Sequence, residues 1–206
     1  MLNNDVKILR ELAKEVVEIA NKPIQDERRD LWRKHNSFHR VQPLIYVRAF
    51  AFDEFFDFKN LKCEDPFFRQ YEYYMHMMKF RDTIGDDFII EPWLTVDAVY
   101  EPPVELRWGL KVEMGEKPSS KGAAAFNPKI IDEDDIDKLI MPSHKINEEL
   151  TKERYERLAN AVGDIIDVNL NRGSIFQMWA MDISTDLAKL RGLEQIMWDA
   201  FDRPEW

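Results

Sequence analysis

Short apolar runs alternate with amphipathic helical stretches along this chain, and that alternation restricts the fold more than any other feature. Strands covered on both faces read as near-continuous apolar runs, while the helices packed on them repeat every three or four residues. The pattern predicts an α/β sheet. An eight-fold α/β barrel takes roughly 250 residues, and this chain has 206. Its last helical stretch, carried by Leu187, Leu190, Leu193, Ile196, Met197 and Phe201, runs into Asp202–Trp206 with no closing strand or polar tail. The expectation is one domain over residues 1–206 that forms part of a (β/α)8 barrel behind a helical extension at residues 1–40.

The helices announce themselves through caps and periodicity. Asn3 to Asp5 precede a face of Val6, Leu9, Ala13, Val16, Val17 and Ala20, closed by Asn21-Lys22-Pro23. A charged helix follows from about Gln25 to His35, pinned by Leu31 and Trp32. Asp65-Pro66 places a capping carboxylate and a first-turn proline ahead of Phe67, Phe68, Tyr71, Tyr74, Met75 and Met78. Asp132 and Asp135 cap a short helix to Leu139, and a longer one spans about Asn147 to Val162. Three apolar runs read as core strands: Pro43–Val47; Asp87–Ile90, prolonged past Pro92 to Val96; and Asp164–Leu170. An aromatic loop, Phe50 to Phe58, follows the first. Residues 100–131 gather the turn formers, Pro102, Pro103, Gly109, Gly115, Pro118, Gly122 and Pro128, and read as a strand-and-loop excursion.

Charge and composition remove several function classes. Lysine and arginine total 29 against 39 acids, a net charge of −10 without a basic run. Nucleic-acid binding needs clustered cations to displace counterions, so that class is excluded. No apolar run approaches the roughly 20 residues that span a bilayer. A single cysteine, Cys63, and an opening of Met1-Leu2-Asn3-Asn4-Asp5 fit a cytoplasmic protein with neither disulfide nor signal peptide.

Four segments, in order along the chain, resemble the uroporphyrinogen decarboxylase-like superfamily, which includes corrinoid methyltransferases. They are Arg28-Arg29-Asp30-Leu31-Trp32 with Pro43–Val47; Phe80–Asp87 running into Thr95-Val96-Asp97-Ala98; Asn127-Pro128-Lys129-Ile130-Ile131 with Asp134–Leu139; and Asp167-Val168-Asn169 with Gly173. The resemblance implies the N-terminal part of that family's barrel. Two departures separate the chain from the decarboxylases. Their arginine-rich loop is replaced by Val47-Arg48-Ala49-Phe50-Ala51-Phe52-Asp53-Glu54, which repels a tetrapyrrole polycarboxylate. Their catalytic aspartate falls near Glu91-Pro92-Trp93-Leu94, where only Glu91 can stand in for it. The methyltransferase branch fits better. It implies zinc and a corrinoid for the complete enzyme, a small methylated substrate or thiol acceptor, and a corrinoid-protein partner. A divergent decarboxylase of a small carboxylate is the first alternative. A non-catalytic half-barrel that pairs with a second copy or a partner chain is the other, because open sheet edges and apolar rims demand cover.

In α/β barrels the reacting groups gather at the C-terminal strand ends, which selects the candidates. Glu91, a carboxylate interrupting an apolar run, is the acid or base if burial raises its pKa, and otherwise a strand cap. Arg48 binds a substrate carboxylate or phosphate, or else pairs with Asp53 or Glu54. Trp93 walls the pocket. Asn169, Asn171 and Arg172, beside Gly173, suit polar recognition or ordinary turn chemistry. His35 and His39 stand four apart but lack a third ligand, and Asp132–Asp135 lacks the alternating ligands and glycine of a calcium loop.

Overall fold

The computed structural model describes residues 3–48, 52–102, 108–117, 119, 122–173 and 182–205, without the Asp53 side chain. Phe50 of the aromatic loop, Pro103 and Pro118 of the excursion, Ser174 after Gly173, and Trp206 lie outside the described residues. The chain is mixed α/β and divides into two compact units: residues 1–97 with 152–171, and residues 98–151 with 172–206.

The first unit is built on helices α1 (Asn4–Ala20), α2 (Pro23–Asn36), α3 (Phe52–Phe55) and α4 (Pro66–Asp82), and on strand β1 (Trp93–Asp97). The Asn3 side chain caps α1, accepting from the Asp5 amide. α1 buries Leu9, Ala13, Val16 and Ala20 of the predicted stripe and also Leu12, leaves Val6 and Val17 half-buried, and packs along α4. Asp65 caps α4 as its sequence predicts, accepting from the amides of Phe67 (2.9 Å) and Phe68 (3.3 Å). The connection between α3 and α4 has no ladder partners, so side chains satisfy its backbone. Buried Glu72 accepts from the amides of Lys62 (2.7 Å) and Cys63 (2.8 Å), and buried Asp5 accepts from those of Glu64 and Asp65. Arg69 donates to the carbonyls of Phe58, Leu61 and Cys63.

The second unit contributes β2 (Tyr100–Glu101), β3 (Glu113–Met114), β4 (Phe126–Asn127), β5 (Lys145–Ile146), and helices α6 (Ile183–Leu190) and α7 (Leu193–Asp202). Helix α5 (Glu148–Val162) starts in this unit and ends in the first, which also holds β6 (Asp167–Asn171). Strands β2 and β5 pair antiparallel, as do β3 and β4, so the described residues of 100–131 carry short strands joined by loops. A 3₁₀ helix, Glu133–Lys138, takes the place of the expected short helix. The Asp135 carboxylate closes its first turn, accepting from the amides of Ile131 (2.7 Å) and Asp132 (3.2 Å) and pairing with Lys138. The terminal helical stretch is broken at Gly192, whose φ of 90° suits glycine and separates α6 from α7. Arg191 and Asp199, both buried, form a two-bond ion pair (2.6 and 2.8 Å), and Arg191 also donates to the Ile130 carbonyl.

Three strand expectations need correction. Pro43–Val47 is not a strand: its backbone is held by side chains at the end of α4. The amides of Ile45 and Val47 donate to Asp87 and Asp86 (2.8 Å each), and Arg81 donates to the Val47 carbonyl (2.6 Å). Ile45 and Tyr46 are at least half exposed. An apolar run becomes a buried strand only beside a neighbour that supplies a ladder, and here carboxylates and a guanidinium take that role. The second run forms its strand only after Pro92. Asp87 and Ile90 send their amides to Ile45 and Gln25 instead of to a strand. The third strand lies at Asp167–Asn171, because Ile165 and Ile166 are still turned back onto the Val162 carbonyl.

No helix among the described residues is long and apolar enough to cross a membrane.

Candidate functional site

The two longest strands among the described residues lie side by side in the first unit. β1 and β6 pair parallel, with Trp93 opposite Asp167, Leu94 opposite Val168, Thr95 opposite Asn169, Val96 opposite Leu170 and Asp97 opposite Asn171. Side chains alternate across a strand, and both sequences alternate in phase. Leu94 and Val96 are buried in the core with Leu9, Val16, Met75, Leu158 and Ile166, and Val168 and Leu170 pack against the same cluster. The opposite face carries Trp93, Thr95, Asp97, Asp167, Asn169 and Asn171, all exposed. Apolar burial on one side therefore forces a polar, open surface on the other.

At the C-terminal end of this face, the Asn171 amide donates to the Asp97 carboxylate (2.8 Å). That bond fixes the orientation of both groups at adjacent strand ends, the place where α/β folds assemble chemistry. Beneath it, Tyr71 of α4 donates to the Thr95 carbonyl (3.3 Å). Burial, and next the negative charge of Asp97, push the Tyr71 phenol up to about 12, so it stays a donor throughout the physiological range. Trp93, Thr95, Asp167 and Asn169 make no side-chain hydrogen bond among the described residues, which leaves their polar groups open to a ligand.

The six sequence-derived candidates separate cleanly. Trp93, Asn169 and Asn171 share the open face, with Trp93 at its N-terminal edge opposite Asp167 and Asn171 at its C-terminal edge opposite Asp97. Glu91 does not join them, because it precedes β1 and so lies toward the N-terminal strand end. It accepts twice from Arg29, from Nε (3.0 Å) and Nη2 (2.7 Å), and Arg29 also reaches Asp26 (2.7 Å). The bond to Glu91 raises the Arg29 pKa above its ordinary value. Glu91 thus sits in a half-buried ion pair at the strand entrance. Arg48 is exposed and follows the 43–47 segment, so no strand end positions it. Arg172 belongs to the second unit, where both oxygens of Glu148 accept from it (2.6 and 2.7 Å). That pairing lowers the Glu148 pKa and raises that of Arg172.

Asp97 is a candidate residue that the sequence does not single out; on the same face, Thr95 lies two residues before it and Asp167 lies at the other end, opposite Trp93. The usable signal was the period of two: Trp93, Thr95, Asp97 and Asp167, Asn169, Asn171 fall into phase once each strand is bounded correctly. Elsewhere Cys63 is wholly buried, and burial pushes its thiol far up, leaving an inert sulfhydryl. Among the described residues no three His, Cys, Asp or Glu side chains converge to hold a metal, and none of the four histidines stands on the open face.

Comparison with protein-family models, with curated proteins and with solved structures yields no match in any of the three.

Proposed function

We propose that this chain forms part of a uroporphyrinogen decarboxylase-like (β/α)8 barrel whose activity is corrinoid-dependent methyl transfer, with a small methylated molecule bound at the C-terminal ends of β1 and β6. The observation that carries the reading is the β1–β6 pair. Parallel strands are joined by crossovers and occur in larger sheets covered by helices. Here two such strands, separated by the long excursion and α5, pack one face on helices and turn a polar face outward. In a barrel that polar face lines the interior and its mouth. Two of the four resembling segments support the same reading, since Thr95–Asp97 ends β1 and Asp167–Asn169 begins β6.

Within the reading, Asp97 accepts a hydrogen bond or holds a positive charge on the substrate, and Asn171 keeps its carboxylate aimed. Thr95 shapes the wall, and Trp93 closes the far, N-terminal end of the same face. A corrinoid, when bound, supplies the methyl carrier. The described residues offer neither a zinc cluster nor a histidine at this face, so no step is assigned to zinc or to a corrinoid ligand. Among the described residues the face carries no lysine or arginine, which favours methyl transfer over decarboxylation, where a cation holds the carboxylate.

The test is spectrophotometric. The purified chain is incubated with methylcobalamin and a thiol, and in the reverse direction with reduced cobalamin and a panel of methylated compounds. Enzyme-dependent change in the cobalamin spectrum, reduced at least about tenfold by Asp97→Asn, is the expected result. A spectrum that the protein leaves unchanged in both directions contradicts the reading.

A further inference from the structure

Helices α1 and α4 pack along one another, and the segment joining α3 to α4 helps to enclose a cleft of about 540 Å³ between them. Small-molecule pockets measure roughly 300–1,000 Å³. The described lining comes from the first unit, without β1 or β6. The floor holds Leu12 and the Glu72 carboxylate, both buried. Half-buried Ile8 and Phe56 supply apolar sides, and the Phe56 ring lies against the His76 imidazole with centroids 4.7 Å apart. Lys7 and Lys62 stand at the exposed rim.

Two polar groups at the floor are left short of partners. His76 Nε2 is 4.0 Å from Glu72 Oε1, beyond hydrogen-bond range, and the imidazole makes no hydrogen bond among the described residues. Burial, and next the charge of Lys79, lowers the His76 pKa against the opposing charges of Glu72 and Glu15. The ring is therefore neutral at neutral pH, with one donor and one acceptor nitrogen. Glu72 Oε1 accepts from the Lys62 amide (2.7 Å), which leaves it a second lone pair. One oxygen about 2.8 Å from each atom bridges the 4.0 Å gap at an angle of about 90°. A hydroxyl does this by donating to the carboxylate and accepting from the imidazole.

Charge at the rim decides the other end of the ligand. Glu15 is paired with Lys79, and Glu11 with Lys14. Lys7 and Lys62 make no ion pair among the described residues and present two cations. Because the Lys62 amide is bonded to Glu72, its ammonium, on a four-carbon stem, lies within about 10 Å of the gap. The Glu72 charge repels an anion from the floor, so the hydroxyl end enters first. An aromatic ring between the two ends rests on Ile8, Leu12 and Phe56.

We infer that this cleft binds a small hydroxyaryl carboxylate, with its hydroxyl between His76 and Glu72, its ring against Phe56 and its carboxylate at Lys7 and Lys62. The inference goes beyond the methyl-transfer reading and does not depend on it.

The experiment is a titration of the whole chain at neutral pH with 3-(4-hydroxyphenyl)propanoate. Two analogues run in parallel: 3-phenylpropanoate, which lacks the hydroxyl, and 3-(4-hydroxyphenyl)propanamide, which lacks the charge. Binding is followed by calorimetry and by the His76 Cε1–H resonance, assigned with His76→Phe. A saturable His76 shift is expected, with each analogue at least about threefold weaker. Lys7→Met and Lys62→Met each weaken the hydroxy acid by about two- to fivefold. In His76→Phe, its fold checked by circular dichroism, the two acids bind alike. No saturable His76 shift means that water alone fills the gap, and it overturns the inference. Equal binding of the three molecules, a hydroxyl preference that survives His76→Phe, or binding indifferent to both lysine variants overturns it as well.

Discussion

Asp5, one position inside α1, is 4% exposed, and its carboxylate gathers the amides of Glu64 and Asp65. Glu72, 1% exposed, does the same for Lys62 and Cys63. Individual buried carboxylates thus hold a loop that has no ladder of its own. Removing one leaves buried amides without partners, so Glu72→Ala should cost about 1–3 kcal/mol of stability in chemical denaturation. Glu72→Gln, which keeps one acceptor oxygen, should cost less. Asp135 in the second unit makes a pH prediction. Its hydrogen bond from Lys138, followed by those from the Ile131 and Asp132 amides, lowers its pKa from 3.8 to about 2. A carboxylate with a depressed folded pKa stabilises fully above its unfolded value and loses that contribution as pH falls through the folded one. The Asp135 contribution is therefore complete above about pH 5 and disappears between roughly pH 4 and 2. Acid titration of Asp135→Asn, followed by circular dichroism, should show a shallower loss of structure across that window than the parent chain. At this scale the sequence was a poor guide. Nothing in the spacing of Asp5, Glu72 and Asp86 tells which distant amide each will meet.

Among the elements, the helices were legible and the strands were not. Asn3, Asp65 and Asp132 mark helix starts because caps and first turns are local, satisfied within a few residues. Asp65→Ala should therefore cost about 0.5–2 kcal/mol by loss of the α4 cap, measured by thermal or denaturant unfolding, and it also removes the ion pair with Arg157. A strand, by contrast, exists only through its neighbour. Pro43–Val47 and Asp164–Leu170 look alike as apolar runs, yet one is tied to Asp86 and Asp87 and the other yields β6 from its second half. The same shift hid the site. With the strand placed at Asp87–Val96, Glu91 falls in its middle and suggests a buried acid. With β1 at Trp93–Asp97, Glu91 precedes the strand and Asp97 ends it. Asn169 and Asn171 were found because any boundary near them leaves them after the apolar positions. The hinge between α6 and α7 was also hidden, because Leu190 and Leu193 continue one apolar period across Gly192. Gly192→Ala puts a Cβ at a φ of +90° and 3.2 Å from Pro128. It should destabilise the second unit by about 1 kcal/mol or more.

For the whole molecule, the account turns on whether the parallel pair belongs to a larger sheet. Sheets of two parallel strands do not stand alone in ordinary α/β proteins. The second unit, for its part, leaves Met141 82%, Ile183 82%, Met197 69% and Phe201 81% exposed. Both features call for cover, from a second copy or from further barrel strands. Light scattering on the purified chain, with ANS fluorescence alongside, measures this directly. The account predicts either a discrete assembly larger than the 24.6 kDa monomer or strong ANS binding by the monomer. A monodisperse monomer that binds no ANS would mean that the two-stranded sheet and the apolar faces are complete as they stand, and it would contradict the barrel reading.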